Sequence, residues 1–280
     1  MDARSRFQSN RSGKAWQRLI REQEDAAGRQ SPCDDLDLSK ARVRLVTKGE
    51  ARRIILRYEW LGTMSNTFIH YGLFFGAYLG GALCIGRPPG RHAGSPFGLD
   101  QHAVLFAARG ACANWTPPGS ASKLIAYAVK DLRGHREERV LMAYADEEAG
   151  EIGTVYQAAG WLYLGQSPGN SHPGYVSPAG RVLHNRSVNQ MITQSGGSCV
   201  PVRAALEAAG WRRRREPSKH RYAVALDRET HRKLLQFSMP YPKRAATEET
   251  GSSDQEEQAG QNRPGRSNTN AEVTHGDEAQ

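Results

Sequence analysis

The sequence predicts an α/β protein with a mixed central sheet flanked by helices. Three observations carry this prediction: a glycine-rich apolar hairpin, an alternation of apolar strands with amphipathic helices, and terminal segments too polar to join a packed core. Strands and helices that alternate at this spacing are typical of a βαβ-type sheet with at least one buried parallel pair.

The first half of the predicted core holds a helix and a hairpin. Gly49–Tyr58 places two isoleucines and a tyrosine on one face, as an amphipathic helix does. Phe68–Gly86 contains no Asp, Glu, Lys or Arg, which imitates a membrane span, but it has five glycines, which disfavour a helix. We therefore expect two buried strands joined near Tyr78–Gly81.

The second half predicts the alternation itself. A strand around Ala111–Trp115 precedes a helix that Ser120 or Ser122 begins and Gly134 ends, with one apolar stripe along it. A short helix separates the next two strands. Further strands are predicted at Val140–Ala145, Trp161–Leu164 and Tyr222–Leu226, and further helices at Pro201–Gly210 and Asp227–Gln236.

Composition divides the chain into three parts. Residues 1–40 are rich in Arg, Gln, Ser and Asp and predict a basic, loosely ordered arm. Residues 41–243 form the predicted catalytic core. Residues 244–280 have Val273 as their only large aliphatic side chain, so we expect a disordered acidic and polar tail.

The charge of the chain is unevenly distributed. The formal net charge is +9, but residues 245–280 contain eight acidic and two basic residues, so residues 1–244 carry +15. A body with this charge predicts a polyanionic partner, with nucleic acid the first candidate.

The cysteines and the N-terminal segment exclude several classes of protein. The four cysteines lie far apart with no C-x-x-C pair, which disfavours a zinc site and a disulfide framework. The histidines show no H-E-x-x-H spacing. Residues 1–30 lack the apolar run of a signal peptide, so we expect a cytoplasmic protein with no membrane segment.

Three positions are candidates for chemistry, because ligands of open α/β sheets gather where strands end and helices begin. Thr116–Ser122 opens the long helix, and its N–H groups and hydroxyls suit a phosphate or pyrophosphate, although residue type alone favours Ser120 or Ser122 as a simple helix cap. Asp146 follows an apolar strand, where a carboxylate accepts a proton or caps the next helix. Tyr156 is either a proton donor or a core aromatic.

Two basic segments are candidates for binding phosphates. The run from Arg212 to Arg215 is followed closely by Lys219 and Arg221, and a second segment contains Arg186. Arginines in such clusters contact the phosphates of nucleic acids regardless of sequence, although a solvated loop has the same composition.

The segment YADEEAGEIGTVYQAAGWLYLG (Tyr144–Gly165) resembles the Mom family of phage DNA-modification proteins, which are diverged relatives of the GNAT acyltransferases. A strand ending in Y-A-D followed by G-T-x-Y-x-A-A carries the resemblance. Other segments agree in order: Tyr58–Met64 (YEWLGTM), the hairpin, Ala108-Arg109, Pro117–Ile125, Gly180–Ser187 and Lys219–Tyr222. The resemblance covers about residues 51–243.

The resemblance implies a GNAT-like fold and transfer of a carbamoylmethyl group to the exocyclic amine of adenine in double-stranded DNA, which protects the DNA from restriction. It also implies an acyl-CoA-type donor and iron. The carried-over catalytic residues are Asp146, Tyr156 and Arg109. Either Ser120 or Ser122 matches the family's serine at the start of the long helix. We therefore expect Ser120, Ser122 and Lys123 to bind the cofactor.

One position departs from the family. Many relatives have His-Tyr where this chain has Glu59-Trp60. If the histidine binds a metal, Glu59 supplies an oxygen ligand instead, since carboxylates suit iron(II).

These observations leave three functional hypotheses. The first is a DNA-modification enzyme that flips its target adenine out of the duplex, with Asp146 accepting or positioning the amine and Tyr156 acting as acid toward the leaving group. The second is an ordinary acyl-CoA-dependent N-acyltransferase acting on a small amine or a protein. The third is a DNA-binding protein with a GNAT-like fold and no catalysis.

Overall fold

The structure is a computed structural model that describes residues 15–243, except 89, 91, 136, 168–173, 181, 184 and 216–217. The side chains of residues 135, 185 and 186 also fall outside the description. The predicted disordered tail and the first part of the predicted arm lie outside the described residues.

A seven-stranded mixed sheet forms the body. Its strands are β1 (Arg42–Leu45), β2 (Thr67–Phe75), β3 (Tyr78–Gly86), β4 (Val104–Cys112), β5 (Val140–Asp146), β6 (Leu162–Gln166) and, last in the chain, β10 (Lys219–Ala225). They lie in the order β1-β2-β3-β4-β5-β10-β6. β4 and β5 are parallel, and every other neighbouring pair is antiparallel. The predicted α/β class and its buried parallel pair are confirmed.

Helices cover the sheet. They are α1 (Trp16–Ala26), α2 (Lys48–Tyr58), α3 (Ser120–His135), α4 (Thr154–Ala158) and α7 (Arg228–Leu235). α2 begins at a capping box: the Thr47 hydroxyl accepts the N–H of Glu50, whose carboxylate in turn accepts the N–H of Thr47. The stripe predicted for α3 is buried in the main core, which also holds Tyr71, Trp161 and Tyr222.

Two predicted strand positions shift in the structure. The hairpin turns at residues 76–77, where Gly76 has φ of +57°, rather than near Tyr78–Gly81. The strand expected around Ala111–Trp115 runs from Val104 to Cys112 instead. Its ladder ends there because the chain turns at Ala113–Thr116 toward two consecutive prolines, which lack N–H donors.

The N-terminal arm differs most from its prediction, because residues 16–26 form a helix docked on the body. Trp16 and Ile20 are buried, and the Trp16 indole donates to the carbonyl of Tyr58 at 3.1 Å. Glu24 is also buried and pairs with Arg29 and Arg57. A tryptophan and an isoleucine four residues apart give this otherwise polar segment one apolar face, which long-range packing satisfies.

A small subdomain is inserted between β6 and β10. It contains β7 (Gly174–Val176), β8 (Val182–Leu183) and β9 (Arg212–Arg214) in a sheet of order β8-β7-β9, with α5 (Asn185–Gln194) and α6 (Cys199–Ala208). Tyr175, Val188, Val202 and Leu206 form its separate core. The predicted helix at Pro201–Gly210 thus begins two residues earlier, at Cys199.

Within the described residues, none of the helices is long and apolar enough to cross a membrane. The uncharged segment that imitates a span is the β2–β3 hairpin, as its glycines predict.

We predict that the docking of α1 depends on Trp16. Trp16→Ala removes a buried ring and its hydrogen bond, so the free energy of unfolding falls by about 3 kcal/mol, and trypsin cuts α1 at Arg21 faster. Urea unfolding and timed proteolysis measure the two effects. The exposed control Gln23→Ala leaves both unchanged. Equal behaviour of the two variants would contradict the docking.

Candidate active site

The candidate site lies where the two parallel strands separate. The ladder between β4 and β5 covers three residue pairs, from Val104↔Val140 to Phe106↔Met142. Beyond them β4 continues along β3, and β5 continues along β10. The carboxyl ends of the parallel strands therefore diverge, which opens a cleft at the place where open α/β sheets bind ligands.

Asp146 ends β5 at this cleft, and both of its carboxylate oxygens are engaged. Oδ1 accepts the N–H of Glu148 at 3.1 Å, which caps the following turn. Oδ2 accepts a hydrogen bond from Lys219 Nζ at 2.5 Å, because Lys219 is the register partner of Asp146 across the β5–β10 ladder. The capping and functional interpretations of Asp146 are therefore compatible. Lys219, predicted as a phosphate ligand, faces this carboxylate instead.

Tyr156 lies on α4 against two aromatic rings, with centroid distances of 5.0 Å to Trp161 and 5.4 Å to Tyr222. Burial raises the pKa of its hydroxyl, and the carboxylates of Glu151 and Glu59 raise the pKa further. The hydroxyl therefore remains protonated at neutral pH, as a general acid must.

The glycine of the G-T-x-Y motif places Tyr156 there. Gly153 has φ of +80°, and a Cβ on it would lie 2.2 Å from the Tyr222 ring. Only glycine lets α4 begin so close to that ring. The Tyr222 hydroxyl donates to the carbonyl of Ile152 and accepts from Gln157. These bonds fix the segment before α4 and the helix itself on the Tyr222 ring.

Glu59 and Arg109 form a second charged pair at the site. The Glu59 carboxylate is 13% exposed, lies 3.7 Å from Arg109 Nε, and accepts N–H groups of Leu61 at 2.9 Å and Gly62 at 3.0 Å. Burial raises the pKa of Glu59 to about 7, against the opposing effect of Arg109. Arg109 is held by the carbonyls of Thr63 and Ala108.

The two pairs and Tyr156 belong to one electrostatic cluster. The charge of Lys219 lowers the pKa of Glu59, and the charge of Glu59 raises that of Tyr156. Asp146 contacts Lys219 and Arg109 lies beside Glu59, so the three residues that the resemblance names are linked through these two partners by their charges. The structure adds Lys219, whose contact depends on pairing between strands 73 residues apart along the chain.

Cys84 also lies beside this cluster, as the register partner of Arg109 on β3. Its side chain is fully buried, and burial raises the pKa of its thiol to about 12. The thiol is therefore protonated at neutral pH and is not a nucleophile there.

The residues at the cluster do not fit a metal site. Among the described residues, the structure contains no group of three or more His, Cys, Asp or Glu side chains placed to bind a metal ion. Glu59 Oε2, the proposed ligand atom, faces two N–H groups and a guanidinium. A cation there would replace hydrogen-bond donors and sit beside a positive charge.

The loop that opens α3 has the form of an anion site built from backbone. Gly119 has φ of +87°, and the first i→i−4 hydrogen bond runs from Lys123 N to Gly119 O. The N–H groups of Ala121 and Ser122 therefore have no intrahelical acceptor. Ser122 is partly exposed beside them.

Two residues predicted to bind the cofactor have other contacts. The Ser120 hydroxyl is buried and donates to the carbonyl of Pro117 at 2.7 Å, which tightens the loop. Lys123 Nζ donates to the carbonyls of Leu38 at 2.5 Å and Ser39 at 3.3 Å. Both residues therefore shape the loop and its surroundings.

The arginine run is a strand rather than a loop. Arg213 pairs with Glu207 at 2.6 Å, Arg214 pairs with Glu148, and Arg212 and Arg215 are exposed. Arg221 donates to the carbonyl of Leu164 and lies over the Phe97 ring, so packing holds its guanidinium. The side chain of Arg186 lies outside the described residues.

Comparison with known proteins identifies a matching protein family and a related phage protein. The family model described as the Mom protein family matches residues 40–243. The methylcarbamoylase mom of Escherichia phage Mu is 28% identical over 210 residues, covering 72% of this chain and 80% of that protein.

Solved structures similar to the chain are acetyltransferases. An N-acetyltransferase from Staphylococcus aureus Mu50 is 12% identical with a TM-score of 0.37, covering 66% of this chain and 97% of that chain. A putative acetyltransferase from Salmonella typhimurium, solved with its cofactor acetyl-CoA, is 10% identical with a TM-score of 0.38, covering 67% and 94%. The mixed sheet with flanking helices described above agrees with the α/β class expected from the sequence.

We predict that Glu59 makes stability depend on pH. Between its ordinary pKa of 4.5 and its folded pKa of about 7, the folded protein keeps a proton that the unfolded chain has released. The free energy of unfolding therefore falls as pH rises through this window, by up to about 3 kcal/mol from this group.

Urea unfolding at pH 5 and pH 8 measures the effect. Glu59→Gln cannot ionise and keeps an acceptor for the two N–H groups, so its stability declines less than that of the native chain. The control Glu137→Gln, at an exposed position, declines as the native chain does. An unchanged decline in Glu59→Gln would show that Glu59 ionises normally.

Proposed function

Because the chain belongs to the Mom protein family, we propose that it is a DNA-modification enzyme that transfers a carbamoylmethyl- or acyl-type group to the exocyclic amine of adenine. The observation that carries the proposal is the cluster of Asp146, Lys219, Glu59, Arg109 and Tyr156 at the carboxyl ends of the parallel strands. Two residues of the cluster, Asp146 and Tyr156, belong to the segment that resembles the family.

The cluster supplies the proton transfers that such a reaction needs. In the transfer, a bond forms between the amine nitrogen and the incoming carbon, and the bond from that carbon to its leaving group breaks. Glu59, with a pKa of about 7, is suited to accept the amine proton at neutral pH. Tyr156 is suited to donate a proton to the leaving group.

The two ion pairs have positioning roles. Lys219 holds the Asp146 carboxylate at the end of β5. This carboxylate accepts a hydrogen bond from the adenine amine and orients the amine. Arg109 keeps a positive charge beside Glu59, which stabilises the carboxylate form when it is needed as the base.

An acyl-CoA-type donor fits the loop that opens α3. The N–H groups of Ala121 and Ser122, with the Ser122 hydroxyl, would hold its pyrophosphate, and the donor would supply the transferred group when bound. Iron does not fit the residues around Glu59, whose carboxylate faces two N–H groups and a guanidinium.

Duplex DNA is the proposed partner. The adenine amine is paired inside the duplex, so the base must leave the stack to reach Asp146. The charge of +15 on residues 1–244 suits the phosphates on either side of a flipped base.

Expression in a bacterium tests the proposal directly. Plasmid DNA is recovered, digested to nucleosides and searched by mass spectrometry for an adduct of deoxyadenosine. We expect an adduct with the native chain and a loss of at least about 100-fold with Tyr156→Phe, the scale of general acid–base catalysis. Asp146→Asn is expected to lose about as much, the scale of a misplaced reactant.

Tyr127→Phe is the matched control, since Tyr127 is an exposed tyrosine on α3 and its ring is kept. Unmodified adenine from the well-expressed native chain would overturn the proposal. Acyl-CoA turnover on small amines without DNA would favour the ordinary N-acyltransferase. Full adduct yield from Tyr156→Phe would remove Tyr156 from the acid role.

A further inference from the structure

The inserted subdomain is attached at the candidate active site. β6 ends at Gln166 and β10 begins at Lys219, the residue that pairs with Asp146. The two ends of the insertion are joined by hydrogen bonds from Ser167 N to Lys219 O at 2.7 Å and from Lys219 N to Ser167 Oγ at 3.0 Å. A macromolecule that reaches Asp146 therefore lies beside this subdomain.

An ion pair fixes one side of β9 against the turn that follows Asp146. Arg214 pairs with the Glu148 carboxylate, and the backbone N–H of Glu148 donates to Asp146 Oδ1. The side chains of Arg214 and Glu148 are 28% and 16% exposed, so water screens this pair less than it screens an ordinary surface pair. One side of β9 is therefore held within two residues of the carboxylate that is proposed to bind the amine.

The arginines of β9 do not all point the same way. Trp211 packs against the subdomain core, and Arg213 pairs with Glu207 of α6, so both lie on the helix side of the three-stranded sheet. Because side chains alternate along a strand, Arg212 lies on the other side, together with Arg214. The two positions are about 6.6 Å apart along the strand. Arg212 therefore projects beside the pair that fixes β9 to the turn.

Arg212 is also the arginine of β9 whose charge is not compensated. Arg213 and Arg214 each face a carboxylate, whereas Arg212 is exposed and has no carboxylate partner within the described part of the chain. Residues 167–218, which contain it, have seven arginines and two glutamates, a net charge of +5. The planar guanidinium offers a fork of N–H donors that matches two phosphate oxygens.

A flipped base requires a cation at this distance from the catalytic carboxylate. The target nucleotide turns out of the duplex about its backbone, so the phosphates on either side of it stay at the rim of the pocket. Contacts to phosphates fix the register and orientation of a protein on DNA. A guanidinium two residues along β9 from the Arg214–Glu148 pair lies at the rim of the site that contains Asp146.

We propose that Arg212 binds a backbone phosphate next to the flipped adenine and thereby sets the target nucleotide in register with Asp146. Arg213 has no part in this contact, because it faces the subdomain helices, and Arg214 holds β9 on the turn. The proposal rests on the proposed function for the flipped base. It deepens that function by assigning the phosphate beside the target to one residue of the arginine run.

Methylphosphonate substitution tests the contact without any donor. The probe is a duplex in which one adenine stands opposite an abasic site, because an unpaired base leaves the stack most easily. A methylphosphonate replaces, in turn, each of the two phosphates that flank this adenine and removes its charge. At one of these positions we expect it to weaken binding of the purified full chain at least about tenfold, the scale of a hydrogen bond to a charged group. Arg212→Ala binds the substituted and unsubstituted duplexes alike.

The neighbouring arginine supplies the matched control. Arg213→Ala removes the same charge one residue away but on the helix side, so it keeps the native sensitivity to methylphosphonate. Arg212→Lys retains a cation for the phosphate and keeps part of that sensitivity. In Arg212→Ala, the slope of log affinity against log salt also decreases in magnitude by about 0.9, as for one lost phosphate contact. Thermal melting verifies that each variant is folded.

The outcomes distinguish this proposal from the proposed function. A methylphosphonate effect that depends on Arg212, in the absence of any adduct, would overturn the enzyme and support the phosphate contact. Adducts from the native chain, with an undiminished methylphosphonate effect in Arg212→Ala, would overturn the phosphate contact alone. Equal losses in Arg212→Ala and Arg213→Ala would show a general effect of charge and would also overturn it. A native chain insensitive to methylphosphonate at both positions, as expected if Arg212 binds an acidic protein, would overturn it as well.

Discussion

The pairing of β10 with β5 is the constraint on which the candidate site depends. Seven consecutive residue pairs, from Lys219↔Asp146 to Ala225↔Val140, insert the last strand of the sheet beside a strand formed much earlier in the chain. This ladder sets Lys219 against Asp146 and places Tyr222 beneath Tyr156 and Gly153. A slip of one residue would turn Lys219 to the opposite face of the sheet and separate the ion pair.

Sequence patterns predict the parts of this molecule that are local. The helix after Thr47, the glycine-rich hairpin and the helix after the TPPGSAS loop each follow from periodicity and capping residues near in sequence. The parallel pair follows from the alternation of strands and helices. The positions of Asp146 at the end of β5 and of Tyr156 on the next helix follow from a motif in which the two are only ten residues apart.

Long-range contacts explain what the sequence could not predict. The docking of α1 depends on a hydrogen bond between Trp16 and Tyr58, and Lys219 reaches Asp146 only through the β10 ladder. From the sequence, the arginine run is either a phosphate-binding segment or a solvated loop. In the structure it pairs with β7, and two carboxylates contact two of its arginines. From the sequence, Glu59 is a candidate metal ligand. In the structure it is buried and accepts two N–H groups, which a metal ion would displace.

Hydrogen bonds between Ser167 and Lys219 join the two ends of the insertion, so the insertion can change during evolution without changing the main sheet. Because the insertion leaves and re-enters the sheet between hydrogen-bonded neighbouring strands, its length and content change no ladder of the main body. Chain can be gained, lost or exchanged there at the modest entropic cost of a longer loop closure. The residues of the cleft and those of the insertion are thereby free to diverge at different rates.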